Sequence, residues 1–299
     1  MKPVYTLDDL VSRETLDAGA DLPARLAVLG FPVAHSASPR MHQPALDAHG
    51  IAARYIRLEV EPGYISEAFA KMRDLGFIGC NVTVPHKLEA MENCLPDHDA
   101  VKFGAVNTIR FDSDATRGFN TDGPGFASAI ADEFGVTLLK SKVAVIGAGG
   151  GAGQAITAQC FMSGVEKLVL VNRTISKLAY IKDMFNSIRP QTEVVVLAFD
   201  DPSLAAHCQA CDLIVNTSSV GLKTDDPSIL TKECLKPEHL VYDTIYQPPV
   251  TPLLALAAQR GCRTANGLSM LRHQGALAFQ HWFPGSDPLP VMRAALAQS

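Results

Sequence analysis

Gly147, Gly149 and Ala152 in the stretch "VAVIGAGGGAG" keep the spacing GxGxxA, and that spacing has a chemical use. The first glycine permits a tight turn and the second lets a pyrophosphate approach the backbone. The third small residue lets a helix pack closely. The loop runs from Gly147 through Ala148, Gly149, Gly150 and Gly151 to Ala152, out of an apolar strand and into a helix. The first amides of such a helix, with its dipole, hold phosphate. Glycines also make ordinary loops, but the strand before and the helix after this one point to a dinucleotide site. At the end of the next strand, "VNRTISK", an NAD site would carry Asp or Glu for the ribose 2′-hydroxyl. Asn172, Arg173, Thr174 and Lys177 stand there instead. No carboxylate repels a 2′-phosphate, and Arg173 can stack on adenine while pairing with phosphate, so NADP is expected over NAD. Asn216, Thr217 and Ser218 of "DLIVNTSSVG" end another strand, at the edge where ligands bind such sheets.

A second group of polar residues lies upstream, at strand ends or tight turns amid apolar sequence. It comprises Ser36 and Ser38 in "AHSASP", Asn81, Thr83 and Lys87 in "NVTVPHK", Asn107 in "AVNTI", and Asn120, Thr121 and Asp122 in "FNTDGPG". Singly each has a plainer use: Ser38 as a helix cap, Asn107 as a satisfied strand residue, "NTDG" as a turn, Lys87 as a surface lysine. Asn81 and Thr83 lie two apart, so on a strand they share one face, opposite Val82 and Val84. That strand stops at a proline and then presents a lysine.

The elements that must carry these residues alternate between strand and helix. "RLAVLGFP" reads as a strand and turn, and "SPRMHQPALDAHG" as a helix with Ser38 at the N-cap, Pro39 first and Gly50 at the stop. "AARYIRLEV" is a second strand, Ile65, Phe69, Met72 and Leu75 mark a helix face, and "CNVTVP" and "AVNTIRF" complete the sheet. From Lys142 a second series follows: "KVAVIG", "KLVLVN", "EVVVLAF", "DLIVN" and "LVYDTIY", separated by helix-length segments. Short branched-aliphatic runs of this kind build a parallel sheet covered on both faces. The expected class is α/β with two domains, an N-terminal α/β domain and a Rossmann-type doubly wound one. The expected bounds are 1–24 as an N-terminal extension, 25–122 plus 268–299 as the first domain, and 123–267 as the second, with a hinge near Gly123 to Gly125. The helix "LSMLRHQGALAFQHWF" would return to the first domain with Leu271, Gly275, Ala278 and Trp282 on one face.

Composition narrows the function classes. The chain has 299 residues, 47% hydrophobic and 19% charged, with a net charge of −5, an ordinary globular balance. Its basic residues are dispersed, so no nucleic-acid surface is expected. The acidic N-terminal stretch lacks the apolar core of a signal peptide and no run has the length of a membrane span, so a cytoplasmic protein is expected. Seven cysteines at irregular spacing make no disulfide framework. Cys208 and Cys211 form one CxxC beside His207, but a zinc site needs a second pair, and no metal is expected.

Together the stretches resemble the shikimate dehydrogenase family. The residues that carry the resemblance are "GFPVAHSASPRMH", "NVTVPHK", "GAVNT", "NTDGPGF", "VIGAGGGAG", "VNRT", "NTSSVG", "YDTIYQ" and "NGLSMLRHQGALAF", in the family's order from Leu26 to Phe279. The resemblance implies reversible NADPH-dependent reduction of 3-dehydroshikimate to shikimate, in a cleft between a split substrate domain and a Rossmann domain. It implies Ser36 and Ser38 on the substrate carboxylate with Tyr246 assisting, and Asn81, Thr83, Asn107 and Gln274 on the ring hydroxyls and carbonyl region. Lys87 is then the general acid and base, with Asp122 orienting it and binding a hydroxyl. Thr244 and Gly267 join the cofactor set.

Some positions depart from the family pattern. "GAGGGAGQ" lacks a basic residue common after the glycine loop, Lys177 replaces a common arginine, and Ser269 stands in "NGLSML" where glycine is commoner. Competing readings are a quinate/shikimate dehydrogenase using NAD or NADP, and a noncatalytic NADPH-binding regulator. A glutamyl-tRNA reductase would need a nucleophilic cysteine and a basic RNA surface, and neither is visible. The expected partner is the small-molecule substrate, in a monomer or homodimer.

Overall fold

The computed structural model describes residues 2–223 and 225–297; within helix Ser176–Ile188 the side chains of Lys177, Ala179, Tyr180, Lys182, Met184 and Asn186 lie outside the described set. The chain forms two compact units, Met1–Thr121 with Leu271–Ser299, and Asp122–Met270. Among the described residues no helix is long and apolar enough to cross a membrane.

The first unit is built on a six-stranded sheet ordered β2-β1-β3-β5-β6-β4. Its strands are β1 (Ala24–Gly30), β2 (Arg54–Glu59), β3 (Gly79–Val82), β4 (Leu95–Pro96), β5 (Thr108–Phe111) and β6 (Thr116–Phe119). β1 runs parallel to β2 and β3, whereas β5 is antiparallel to both β3 and β6. Helices Ser38–Ala48 and Ile65–Asp74 connect the parallel strands. Ile65, Ala68, Phe69 and Met72 of the latter are buried with Leu29, Leu58, Cys80 and Ile109 in one core cluster. The N-terminal segment adds to this unit. Tyr5 N–H donates to Arg57 O at 2.9 Å and Glu59 N–H to Tyr5 O at 2.8 Å, so the segment pairs along the outer edge of β2. Of helix Leu268–Trp282, Gly275 packs so close to Met41 that a Cβ there would overlap its Cε, and Trp282 Nε1 donates to Ile109 O at 2.8 Å.

The second unit has strands β7 (Lys142–Ile146), β8 (Lys167–Val171), β9 (Glu193–Leu197), β10 (Leu213–Asn216), β11 (Leu240–Asp243) and β12 (Arg263–Asn266). All are parallel, in the order β9-β8-β7-β10-β11-β12. Counted within the unit this is 3-2-1-4-5-6, the doubly wound dinucleotide-binding order. The alternation of a strand sends its residues to two cores. Val143, Val145, Leu168, Leu170, Leu213 and Val215 fill one, while Ala144, Ile146, Val169, Val171 and Ile214 fill the other.

Local detail differs from the sequence reading at four places. Ser38 is the first residue of its helix, with Ala37 at the N-cap, which leaves the Ser38 hydroxyl available to other groups. β3 ends at Val82, so Thr83 and Val84 belong to the following turn and Val84 is 64% exposed. Gly123, Pro124 and Gly125 lie inside the continuous helix Asp122–Phe134 rather than in a flexible link. β6 and β12 escaped notice because neither carries an apolar run.

Candidate active site

The order of the second sheet reverses between β7 and β10, and the loops that leave these strands form one wall of a cavity of about 510 Å³. Gly147, Gly149 and Gly150 come from the end of β7, and Asn172, Arg173 and Thr174 from β8. Phe199 follows β9, and Thr217 to Val220 follow β10. Gly147 has φ +89°, and a Cβ on it would sit 2.9 Å from Ser218 N. A Cβ on Gly149 would lie 2.7 Å from Asn172 Nδ2. At Gly151 a Cβ would meet nothing within 4 Å, and this residue opens helix Gly151–Met162, whose first-turn amides have no intrahelical acceptors. The loop therefore presents bare backbone and helix-end donors, which fits a pyrophosphate. No acidic side chain lines the cavity among the described residues, which fits the added phosphate of NADP.

The close packing expected of Ala152 falls on its neighbour. A Cβ on Gly153 would approach Gly147 O to 2.5 Å and Ala148 Cα to 2.8 Å, whereas Ala152 is half-exposed. Two further residues sit differently from their expected place at the ligand edge. Asn216 is fully buried; its amide donates to Asp243 Oδ1 at 3.0 Å, and its carbonyl accepts from Ser218 N and Oγ at 3.0 and 2.8 Å. It shapes the loop that carries Thr217 and Ser218. Thr217 Oγ1 in turn donates to Ile146 O at 2.9 Å. Asp243 also accepts from Thr251 Oγ1 and Ile245 N; burial pushes its carboxyl above the ordinary carboxylate value, and these bonds pull it back. A Cβ on Gly267 would overlap Thr244 O, so this glycine lets β12's exit pass against the loop after β11. Lys177's side chain lies outside the described residues.

In the first unit the polar residues join into a buried chain of hydrogen bonds. Tyr55 OH donates to Asn81 Oδ1 at 2.7 Å. Asn81 Nδ2 donates to Thr108 Oγ1 at 3.3 Å, and Thr108 Oγ1 to Asn107 Oδ1 at 3.2 Å. Asn107 Nδ2 donates to Thr121 Oγ1 at 3.0 Å and its Oδ1 accepts from Thr121 N at 2.8 Å. Ser36 Oγ lies 3.2 Å from Ser38 Oγ, and Arg57 clamps Ser36 O with two bonds of 3.0 and 2.8 Å. Tyr55, Asn81 and Thr108 thus come from β2, β3 and β5, Asn107 and Thr121 from the segments before β5 and after β6, and Ser36 and Ser38 from the loop after β1 and the helix it enters.

Lys87 is half-buried and begins helix Lys87–Glu92. Its neighbours hold that turn: buried His86 donates from Nε2 to Val60 O at 2.7 Å, and Glu89 accepts from Gly63 N and Ile65 N. Asp122, 7% exposed, directly follows Thr121 and begins the helix Asp122–Phe134. Gln274 is half-buried and donates to Leu271 O at 2.8 Å; Tyr246 is half-buried in the loop after β11. Sequence reasoning passed over Tyr55, Thr108 and His42. His42 is fully buried and stacks on Tyr55 with centroids 4.5 Å apart. Burial without a hydrogen-bond partner for either ring nitrogen among the described residues takes its pKa down to about 3. All seven cysteines are free, Cys208 and Cys211 are buried, and no group of three His, Cys, Asp or Glu side chains able to hold a metal occurs among the described residues.

Comparison with known proteins places these features in context. Residues 28–109 match the family model of the shikimate dehydrogenase substrate binding domain. The chain is 40% identical over 275 residues to the NADP(+) shikimate dehydrogenase of Symbiobacterium thermophilum, covering 90% of this chain and 92% of that one. It is 34% identical over 276 residues to that of Methanopyrus kandleri, covering 91% and 94%. The crystal structure of the Thermus thermophilus shikimate 5-dehydrogenase in complex with NADP(H) and shikimate superposes with a TM-score of 0.80. That pair shares 33% identity, covering 92% of this chain and all of that one.

Proposed function

The chain belongs to the shikimate dehydrogenase family, and from that premise we infer that it catalyses the reversible NADP-dependent reduction of 3-dehydroshikimate to shikimate. Bound NADPH supplies the hydride for the C3 carbonyl. Lys87 gives a proton to the oxygen that becomes an alkoxide, and in the reverse direction removes it. Asp122 orients the ammonium and accepts a hydrogen bond from a ring hydroxyl. Ser36, Ser38 and Tyr246 donate to the substrate carboxylate, while Asn81, Thr83, Asn107 and Gln274 read the hydroxyls and the carbonyl region. The glycine loop from Gly147 and the residues Arg173, Thr174 and Lys177 hold the cofactor's phosphates. The enzyme works in the cytoplasm as a monomer or homodimer.

The observation that carries the assignment of roles is the buried hydrogen-bond chain from Tyr55 through Asn81 and Asn107 to Thr121. It locks the amides in single orientations, so a ring bearing hydroxyls meets a polar pattern that is already organised before it binds. The test offers shikimate or quinate, each with NADP or NAD, and follows reduced cofactor by absorbance. Turnover is expected with shikimate and NADP; comparable turnover of quinate would overturn the substrate assignment. Lys87→Ala is expected to lower turnover by on the order of 10²- to 10⁴-fold with little change in shikimate binding. Near-normal turnover in that variant would remove Lys87 from the chemistry.

A further inference from the structure

We propose that Phe199 forms the adenine platform of the dinucleotide site, stacking on the base independently of the groups that recognise the 2′-phosphate. This deepens the NADP reading and rests on it.

The cavity has an ordered lining because the sheet is ordered. Proceeding from β7 to β8 to β9, the strand ends contribute first the bare glycines, then Asn172 to Thr174, then Phe199. Adjacent strands are roughly 4.8 Å apart, so Phe199 is displaced from the glycine loop by roughly 10 Å, two strand spacings. The pyrophosphate belongs over the glycines and the ribose 2′ position at the end of β8. The base attached to that ribose then extends toward the end of β9, where Phe199 stands, the one aromatic ring of the cavity lining among the described residues.

Phe199 is also held as a platform should be. It is half-buried: it packs against the core under the sheet and also lines the cavity. Its segment is anchored on both sides. Asn172 N–H donates to Leu197 O at 3.1 Å, which ties this strand end to the residues at the ribose position. Beyond it Asp201 N–H donates to Ala198 O at 3.3 Å, and Asp201 Oδ1 accepts from Ser203 N and Oγ at 2.8 and 2.6 Å. A half-buried ring between two anchored turns loses little freedom on meeting a flat base. A nucleobase offers a π-face whatever its substituents, so this contact serves NADP and NAD alike. Arg173 differs, because its pairing with phosphate depends on the 2′ group.

The experiment is calorimetric titration of the full chain with NADP, NAD and adenosine 2′,5′-bisphosphate, for wild type, Phe199→Ala and Phe199→Leu. Phe199→Leu keeps apolar volume and removes the ring, so it still reports if the alanine variant folds poorly. Loss of the ring is expected to weaken all three ligands by a common factor, on the order of 5- to 100-fold. Phe199→Tyr is expected to restore binding to within about threefold, since it keeps the stacking face. If wild type binds NADP and both ring-less variants bind it within twofold of wild type, the platform is refuted while the cofactor reading stands. Weakened NADP with unchanged NAD also refutes it, since the residue would then act through the 2′-phosphate. Failure of wild type to bind any of the three overturns the cofactor reading and this inference with it.

Discussion

Replacing Gly153 by alanine puts a methyl carbon 2.5 Å from Gly147 O, 2.8 Å from Ala148 Cα and 2.9 Å from Ala148 C. All three neighbours are backbone, so no side chain can swing away. Comfortable contact needs roughly 3.5 Å, and the helix or the loop must therefore move by roughly 1 Å. Overpacking of this kind costs about 1–3 kcal/mol, offset by up to about 1 kcal/mol from the better helix propensity of alanine. With the full offset the net loss is up to about 2 kcal/mol, measured by urea unfolding. The larger effect is on the cofactor, because the displaced atoms belong to the loop assigned to the pyrophosphate; a shift of this size weakens NADPH binding on the order of 10- to 100-fold. Nicotinamide fluorescence on titration with NADPH reads that change. Two controls isolate the cause. Gly151→Ala adds a methyl that meets nothing within 4 Å and leaves stability within about 0.5 kcal/mol. Ala152→Gly changes the residue that the motif spacing selects, and costs no more than about 1 kcal/mol, with binding within about threefold. If Gly153→Ala matches wild type in both assays, or Ala152→Gly is the more damaging, the close approach of loop and helix has been misassigned.

Tyr55→Phe removes the donor to Asn81 Oδ1 and leaves a buried acceptor unpaired, at a cost of about 1–3 kcal/mol in urea unfolding; KM for shikimate should rise more than kcat falls, and unchanged values of both would detach Tyr55 from the network. His42 has a folded pKa of about 3 against an ordinary 6.5, so between those values the unfolded chain holds the extra proton and stability falls as pH drops. From pH 7 to pH 5 this group alone removes about 2 kcal/mol, and unfolding of His42→Leu should show a correspondingly shallower dependence over that interval. Arg54→Met leaves Asp17 without the 2.7 Å ion pair and Tyr5 OH and Leu22 O without their donors, a loss of about 3 kcal/mol. Protease susceptibility of the N-terminal segment should rise with it.

What could be read in the sequence follows from how each feature is buried. β7, β8 and β10 lie inside a parallel sheet with cores on both faces, so their central positions are apolar on both sides and the run announces itself. β12, "RTAN", lies at the sheet's edge with exposed or half-exposed residues throughout; no apolar signal is required there and none is present. The same logic applies to the site. Asn81 and Asn107 are legible as amides set in apolar runs, an arrangement that calls for partners. The partners themselves are not legible. Tyr55 fits an ordinary strand pattern 26 residues before Asn81, and its hydroxyl reaches that amide only because β1, lying between β2 and β3, brings the two strands onto one sheet.

The glycine loop shows the complementary limit. Spacing counts residues along the chain, and by that count Ala152 is the third small residue. Which position tolerates a Cβ depends on where the helix axis passes the loop, and that geometry puts the requirement on Gly153. A motif of consecutive glycines is therefore the case in which counting fails most easily, since each shift of one residue yields another acceptable match. Only the distance from a Cβ placed on each glycine to the opposing atoms separates the glycine that packs from the glycine that leaves room. In this chain those distances assign packing to Gly147, Gly149 and Gly153 and leave Gly150 and Gly151 open to a ligand.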